Sequence, residues 1–272
     1  MNTRRTRFEG LMVLLACAGV VPHVWAADVT PPPWRGQAGT THQEWQFGNA
    51  TNPASPDVVA NPYGTAVAVI TPGEFATGWL NQIPGLGTQT GYWDMGGAGA
   101  LLVIDIDNRP PSPAHKEIWV QVTSFVDITQ PPLVSVPGGV LLSQRETVVE
   151  HVPTGGDWWC DLSRWRIDPS PGHEQVIFTT YPSWGAVIDQ IVVDTIAFDC
   201  HTPAQDADGD SDVDLLDFSV FQACFNGPNR PYAQGNIACI CFDTEADADV
   251  DLLDFSVFQS CFGGPNRPSA CP

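Results

Sequence analysis

Between residues 34 and 200 the apolar positions come in short runs, many of them alternating with polar residues and broken by Gly, Pro and Asn. Period-two runs rich in Val, Ile, Thr and Trp predict strands with one face turned to a core. The runs are 44–47, 65–70, 101–106, 117–126, 146–152, 158–167, 174–180 and 187–198. Ile118-Trp119-Val120-Gln121-Val122 and Gln190-Ile191-Val192-Val193-Asp194 are the clearest. No run in this region has three turns of helical periodicity. Short strands with turn signals between them predict a mainly β fold, an antiparallel β-sandwich of jelly-roll-like type.

The pattern changes near His201. Leu215, Leu216, Phe218, Phe221, Cys224 and Phe225 recur at near-helical spacing, and Gly227-Pro228 stops the run. Leu252, Leu253, Phe255, Phe258, Cys261 and Phe262 repeat it, ahead of Gly264-Pro265. The copies DVDLLDFSVFQACFNGPNRP, from Asp212, and DVDLLDFSVFQSCFGGPNRP, from Asp249, are offset by 37 residues and differ at two positions. Near-identity at a fixed offset marks two copies of one supersecondary unit. Neither helix can bury its Phe stripe alone, so the two are expected to pack together. The division this predicts is a leader over 1–26, a β-sandwich over 28–200 and a small all-α module over 201–272, with repeats at 206–228 and 243–265.

Charge gives the repeat its chemistry. Counting Asp206 as position 1, acidic residues fall at positions 1, 3, 5, 7, 9 and 12: Asp206, Asp208, Asp210, Asp212, Asp214 and Asp217. The second copy has Asp243, Glu245, Asp247, Asp249, Asp251 and Asp254. Six carboxylates in twelve residues repel one another, and a hard dication with many oxygen ligands relieves that repulsion; Ca²⁺ suits such a flexible cage. Position 7 is expected to offer its backbone carbonyl. Val213 and Val250 at position 8 suit a short β-contact between the loops. A solvated charge block would not need this spacing twice. A thrombospondin-type calcium repeat shares the spacing but lacks the amphipathic helix after each loop.

The duplicated loop-helix pattern over about 206–268 resembles a type I dockerin. The resemblance implies two Ca²⁺ ions, held in the first loop by Asp206, Asp208, Asp210, Asp212 (through its carbonyl), Asp214 (through water) and Asp217. The second set is Asp243, Glu245, Asp247, Asp249, Asp251 and Asp254. It also implies a cohesin-like β-sandwich partner docked on the helices. Two departures stand out: position 6 is Ser211 or Ala248 where Gly is usual, and positions 10 and 11 are Leu-Leu where many dockerins carry small or hydroxylated residues.

The whole chain of 272 residues has a net charge of -20, which sets it against nucleic acid and anionic membrane surfaces. Arg4, Arg5 and Arg7 before the apolar run Leu11–Val21 read as a secretion signal cut before Ala27; Leu14-Leu15-Ala16-Cys17 offers a lipoprotein box as the rival cut. No other stretch is long and apolar enough to cross a membrane. Removing three arginines and Glu9 would leave 8 basic and 30 acidic residues. Seven cysteines would remain, and export favours disulfides. Cys224 has Cys239 or Cys241 in reach, Cys261 has Cys271, and Cys160 with Cys200 would complete the set. Sequence does not fix that connectivity.

The larger region resembles uncharacterised secreted bacterial β-sandwich domains and carries no catalytic motif. Glu44, Glu74, Glu117, Glu146, Glu150 and Glu174 are scattered, and His42, His115, His151 and His173 lack zinc spacing. Trp45, Trp119 and Trp165 are expected in the core. Trp34, Trp79, Trp93, Trp158, Trp159 and Trp184 sit beside Gly, Pro or Asp, where they either anchor loops or form a sugar-stacking face. Two functions compete: a secreted calcium-binding docking protein that tethers a sandwich cargo to a protein partner, and a polysaccharide-active enzyme (a glycoside hydrolase) or carbohydrate-binding module carried by that tail.

Overall fold

The computed structural model describes residues 28–108, 115–127, 129–230, 232, 238–245, 247 and 249–271. The expected leader and Ala248 lie outside the described residues. Twelve strands come first: β1 (Thr40–Trp45), β2 (Val58–Ala60), β3 (Ala66–Thr71), β4 (Gly78–Leu80), β5 (Tyr92–Gly96), β6 (Leu101–Asp107), β7 (His115–Val126), β8 (Leu133–Ser135), β9 (Val140–His151), β10 (Asp157–Ile167), β11 (His173–Thr179) and β12 (Ala186–Phe198). Three helices follow: α1 (Leu215–Cys224), α2 (Ala238–Phe242) and α3 (Leu252–Cys261). The fold is mainly β with antiparallel sheets, as the runs predict, and each predicted run overlaps a strand, though of 44–47 only Glu44 and Trp45 lie in β1, which starts at Thr40. The strands that periodicity misses, β2, β4, β5 and β8, have three to five residues, too few to show a period. The short helix α2 was not anticipated either.

One sheet has eight strands in the order β2-β1-β12-β7-β10-β9, with β5 also on β12 and β4 on β5; the other runs β3-β6-β11-β8. Their facing surfaces make one core. Trp45, Ile118, Val120, Val122, Ile191 and Val193 from the large sheet meet Ala68, Ile70, Leu102, Ile104, Val176 and Phe178 from the small one. Burying each large apolar side chain contributes about 1.5–3 kcal/mol. At one edge of this core Lys116 and Glu174 form a buried inter-sheet ion pair at 3.1 Å. Burial lowers the Lys116 ammonium and raises the Glu174 carboxyl, while each opposes the other's shift.

The outer face of the large sheet is covered as well, so β7 and β12 are buried almost throughout. Polar residues that alternation would place in water are held instead by partners. Gln121 accepts from the Thr30 amide at 2.9 Å and donates to Asp28 at 2.7 Å. Arg35 donates twice to Asp194, at 2.6 and 2.5 Å. Trp34 stands edge-on to Trp119 at 6.0 Å. Trp119 is therefore buried on the outer face, not in the inter-sheet core. It shares a cluster with Leu162, Ile196 and Phe198 and with Phe221, Phe242 and Phe258 of the helices. The helical segment thus packs directly against the sheet.

At the other end of this face Tyr92, Phe125, Val152, Trp158 and Val187 form a smaller cluster. Asp189 is the extra residue at a bulge in β12 and is buried. Desolvation, with the Glu150 charge adding to it, pushes the Asp189 carboxyl up to about 8. The folded chain then keeps a proton that the unfolded chain releases near 3.8. Stability from this group is complete below that value and falls as pH rises toward 8. Urea midpoints should therefore drop between pH 5 and pH 9, and Asp189→Asn should flatten the drop.

Candidate metal centre and docking face

Each acidic loop is wrapped around its own last carboxylate. Asp217, buried, accepts the Ala207 amide at 2.7 Å on one oxygen and the Asp214 amide at 2.8 Å on the other. Asp254 does the same for Thr244 at 2.7 Å and Asp251 at 2.8 Å. Asp214 in turn accepts the Leu216 amide at 2.7 Å, so Asp-Leu-Leu-Asp is a capping box that starts α1. Asp251 and Asp254 start α3 the same way. Loop closure and helix initiation thus rest on the same two side chains, a double duty not read from the sequence.

Backbone geometry bears on the departure at position 6. Gly209 has φ +76, and a Cβ there would lie 2.7 Å from the His201 ring. Ser211 also sits in the left-handed region, at φ 77, where a side chain is strained.

The two loops are tied to each other crosswise. The expected β-contact between Val213 and Val250 does not form. Val213, fully buried, accepts from the amides of Gly263 and Gly264 at 3.1 Å each, and Val250 accepts from Asn226 and Gly227 at 3.0 and 3.3 Å. The Asn266 amide donates to Asp212 and the Asn229 amide to Asp249, each at 2.5 Å. The Gly-Pro-Asn turn after each helix puts Gly227 and Asn229, or Gly264 and Asn266, at positive φ, which aims these amides at the other repeat's loop. The position-7 carboxylates therefore bind the opposite repeat.

Carboxylate oxygens gather in three groups: Asp206, Asp208 and Asp210; Asp212, Asp214 and Asp217; and Glu245, Asp251 and Asp254. Asp243, Asp247 and Asp249 stand outside them. The Asp247 amide donates to Asp243 at 2.9 Å and the Asp249 amide to Asp247 at 3.2 Å. Desolvation and neighbouring carboxylates raise Asp208, Asp212, Glu245 and Asp249. One buried oxygen each of Asp212 and Asp249 has no hydrogen-bond partner among the described residues. An all-oxygen donor set with mutual repulsion fits a hard dication and no softer metal.

The helices pack as their Phe stripes predict, with Phe221 centred 5.7 Å from Phe255 and 5.2 Å from Phe258. Their outer face is apolar and open. Leu215, Leu216, Leu252 and Leu253 are 61–69% exposed. A shallow groove is lined by Phe218, Phe221, Gln222, Phe225, Leu252 and Phe255, and a second is its copy with the repeats exchanged.

The cysteines pair as Cys224–Cys239, Cys261–Cys271 and Cys200–Cys241. The expected Cys160–Cys200 bond is not made: Cys160 faces Gln121 on the outer side of β10, free and buried, its thiol pushed up to about 12 by burial. Cys200 instead pins the end of β12 to α2.

The sandwich shows no assembled catalytic group among the described residues. Glu117 pairs with Arg164 at 3.0 Å, and Glu150 accepts the Thr88 amide at 2.9 Å. His42, His115 and His151 each face a separate aspartate, and His173 faces both Asp105 and Asp107. Trp34, Trp93 and Trp158 are buried, Trp79 and Trp159 are partly so, and Trp184 is exposed, so no row of Trp rings forms.

No family model matches the chain, and no curated protein matches it. Among solved structures, the CBM35 from Cellvibrio japonicus Abf62 aligns at 15% identity and a TM-score of 0.24, over 49% of this chain and 99% of that one. A likeness of that size carries no argument about ligand or activity.

Relieving the turn at position 6 should show in stability. Ser211→Gly is expected to add about 0.5–1 kcal/mol in calcium-free urea unfolding, while Gly209→Ala should lower it.

Proposed function

We propose that the chain is an exported, calcium-loaded docking protein whose helical segment, about 201–272, tethers a β-sandwich cargo, about 28–200, to a protein partner. The observation that carries this reading is the duplicated loop: two sets of carboxylates at one spacing, each starting a helix and each clasped by the other's turn. In the first set Asp206, Asp208, Asp210, Asp214 and Asp217 would hold one Ca²⁺ with the Asp212 carbonyl. In the second Asp243, Glu245, Asp247, Asp251 and Asp254 would act with the Asp249 carbonyl. The ion supplies the positive charge these loops lack. The chain's own part is to hold the carboxylates on backbone amides and to fix the helix starts.

The docking surface is the open leucine face, whose two grooves exchange under the repeat. Leu-Leu at positions 10 and 11 departs from the small or hydroxylated residues of many dockerins and calls for a partner with an apolar patch; a cohesin-like β-sandwich is the partner that the dockerin resemblance implies. Three disulfides among the described residues accord with an oxidising destination and with the leader.

A second reading, sugar binding by the sandwich, rests on one rim of it. The 73–77, 96–99 and 181–185 loops interlock there, with the Gly97 amide donating to Glu74 at 2.8 Å and Thr180 to Gly97 at 2.6 Å. They expose Phe75, Tyr181 and Trp184 with no basic residue among them. Such rings suit the apolar faces of neutral sugars.

Calorimetry on the full chain should find two Ca²⁺, with helix content rising on uptake, and Asp217→Ala should remove one of them. Leu216→Glu with Leu253→Glu should abolish binding to a cohesin-type module without changing the calcium count. Absence of calcium uptake would end the docking reading. For the rim, Trp184→Ala should weaken retention on insoluble neutral polysaccharide; unchanged retention, or none in the parent, would end the sugar reading.

A further inference from the structure

The sandwich supplies a cation to the second loop. Arg164, on the outer face of β10, is buried, with Nη2 3.0 Å from Glu117 and 3.7 Å from Asp243, the position-1 carboxylate. Its guanidinium lies 4.7 Å from the centre of the Trp119 ring. Arg166 stands 3.7 Å from the other Glu117 oxygen. Two arginines and two carboxylates thus balance only while Asp243 contributes its charge. The Cys200–Cys241 bond fixes the chain two residues ahead of Asp243 to the end of β12, so this approach is held covalently. The first loop differs. Asp206 accepts the amides of Gly209 and Ser211 at 2.8 and 2.9 Å, and no ion pair to it occurs among the described residues.

We propose that Arg164 is a resident counter-cation of the second loop, so that Asp243 is shared between the sandwich and the bound ion. The inference rests on the calcium reading above and deepens it. A guanidinium buried beside a ligand carboxylate repels an incoming dication and is poorly screened by salt. Without metal, the same guanidinium neutralises Asp243 and keeps the loop against the sheet. Metal uptake by the second loop is then coupled to the sandwich, whereas uptake by the first loop is not.

The test uses the full chain with the first loop silenced by Asp206→Ala and Asp208→Ala. In that background Arg164→Gln should tighten calcium binding about tenfold, and Arg164→Lys should fall back toward the parent. Glu117 keeps Arg166 in both variants. Equal affinity in parent, Arg164→Gln and Arg164→Lys overturns the proposal. A second arm works in excess chelator and needs no silenced loop. There Asp243→Asn should lower the thermal midpoint by clearly more than Asp206→Asn, because it unbalances the buried charges as well as losing an acceptor, whereas Asp206→Asn only loses an acceptor for one of its two amides. If both lower it equally, or neither does, the shared-ligand account is wrong. Failure of the parent to take up any calcium would instead remove the calcium reading, and the chelator arm would still report on the Arg164–Asp243 pair.

Discussion

Six carboxylates confined to twelve residues repel one another, and the conformation of the C-terminal segment answers that repulsion. Backbone amides are turned inward on Asp206, Asp217 and their counterparts, which spreads the charge over fixed dipoles. The last carboxylate of each loop also starts a helix, so the loop cannot open without fraying α1 or α3. The helices in turn bury Phe221 and Phe258 against each other and against the sheet. Each level of structure leans on the one before it, and the first level is electrostatic. On our account a dication completes it.

The crossed turns explain why two copies are needed. Asn266 reaches Asp212, and Asn229 reaches Asp249, so each loop is finished by the other's Gly-Pro-Asn turn. A single unit would leave its position-7 carboxylate and its Phe stripe exposed. The pair still lacks a cover on its inner side, and the outer face of the large sheet provides one through Trp34, Trp119, Leu162 and Phe198. The helical segment is thus seated on the sandwich rather than strung from it, and its leucine face points away.

Much of this was legible in the chain, for identifiable reasons. Long strands showed because alternation over six or more residues is a strong signal; β2, β4 and β8 are too short to give one. The carboxylate ladder and the Phe stripes were local patterns; the Phe stripes pack as their spacing predicts, while the acidic side chains gather in three smaller groups that leave out Asp243, Asp247 and Asp249. What escaped were contacts across the chain. Nothing near Trp119 says that its face of the sheet is covered, so it read as a core residue. Arg164 carries no local signal of its burial, because its partner Asp243 is far along the sequence. Cys200 pairs with Cys241 because packing brings α2 to the end of β12, which no cysteine count reveals. The Asp-Leu-Leu-Asp capping box was local and readable; the metal-ligand pattern superimposed on it hid it.

Each loop closes around its own last carboxylate, and we propose that calcium locks this closure. Amide hydrogen exchange of the Ala207, Asp214, Thr244 and Asp251 amides, with calcium and then with excess chelator, tests it most directly. Strong protection is expected with calcium and its loss in chelator, while β7 and β12 stay protected in both. Equal protection of those four amides in both conditions would contradict it.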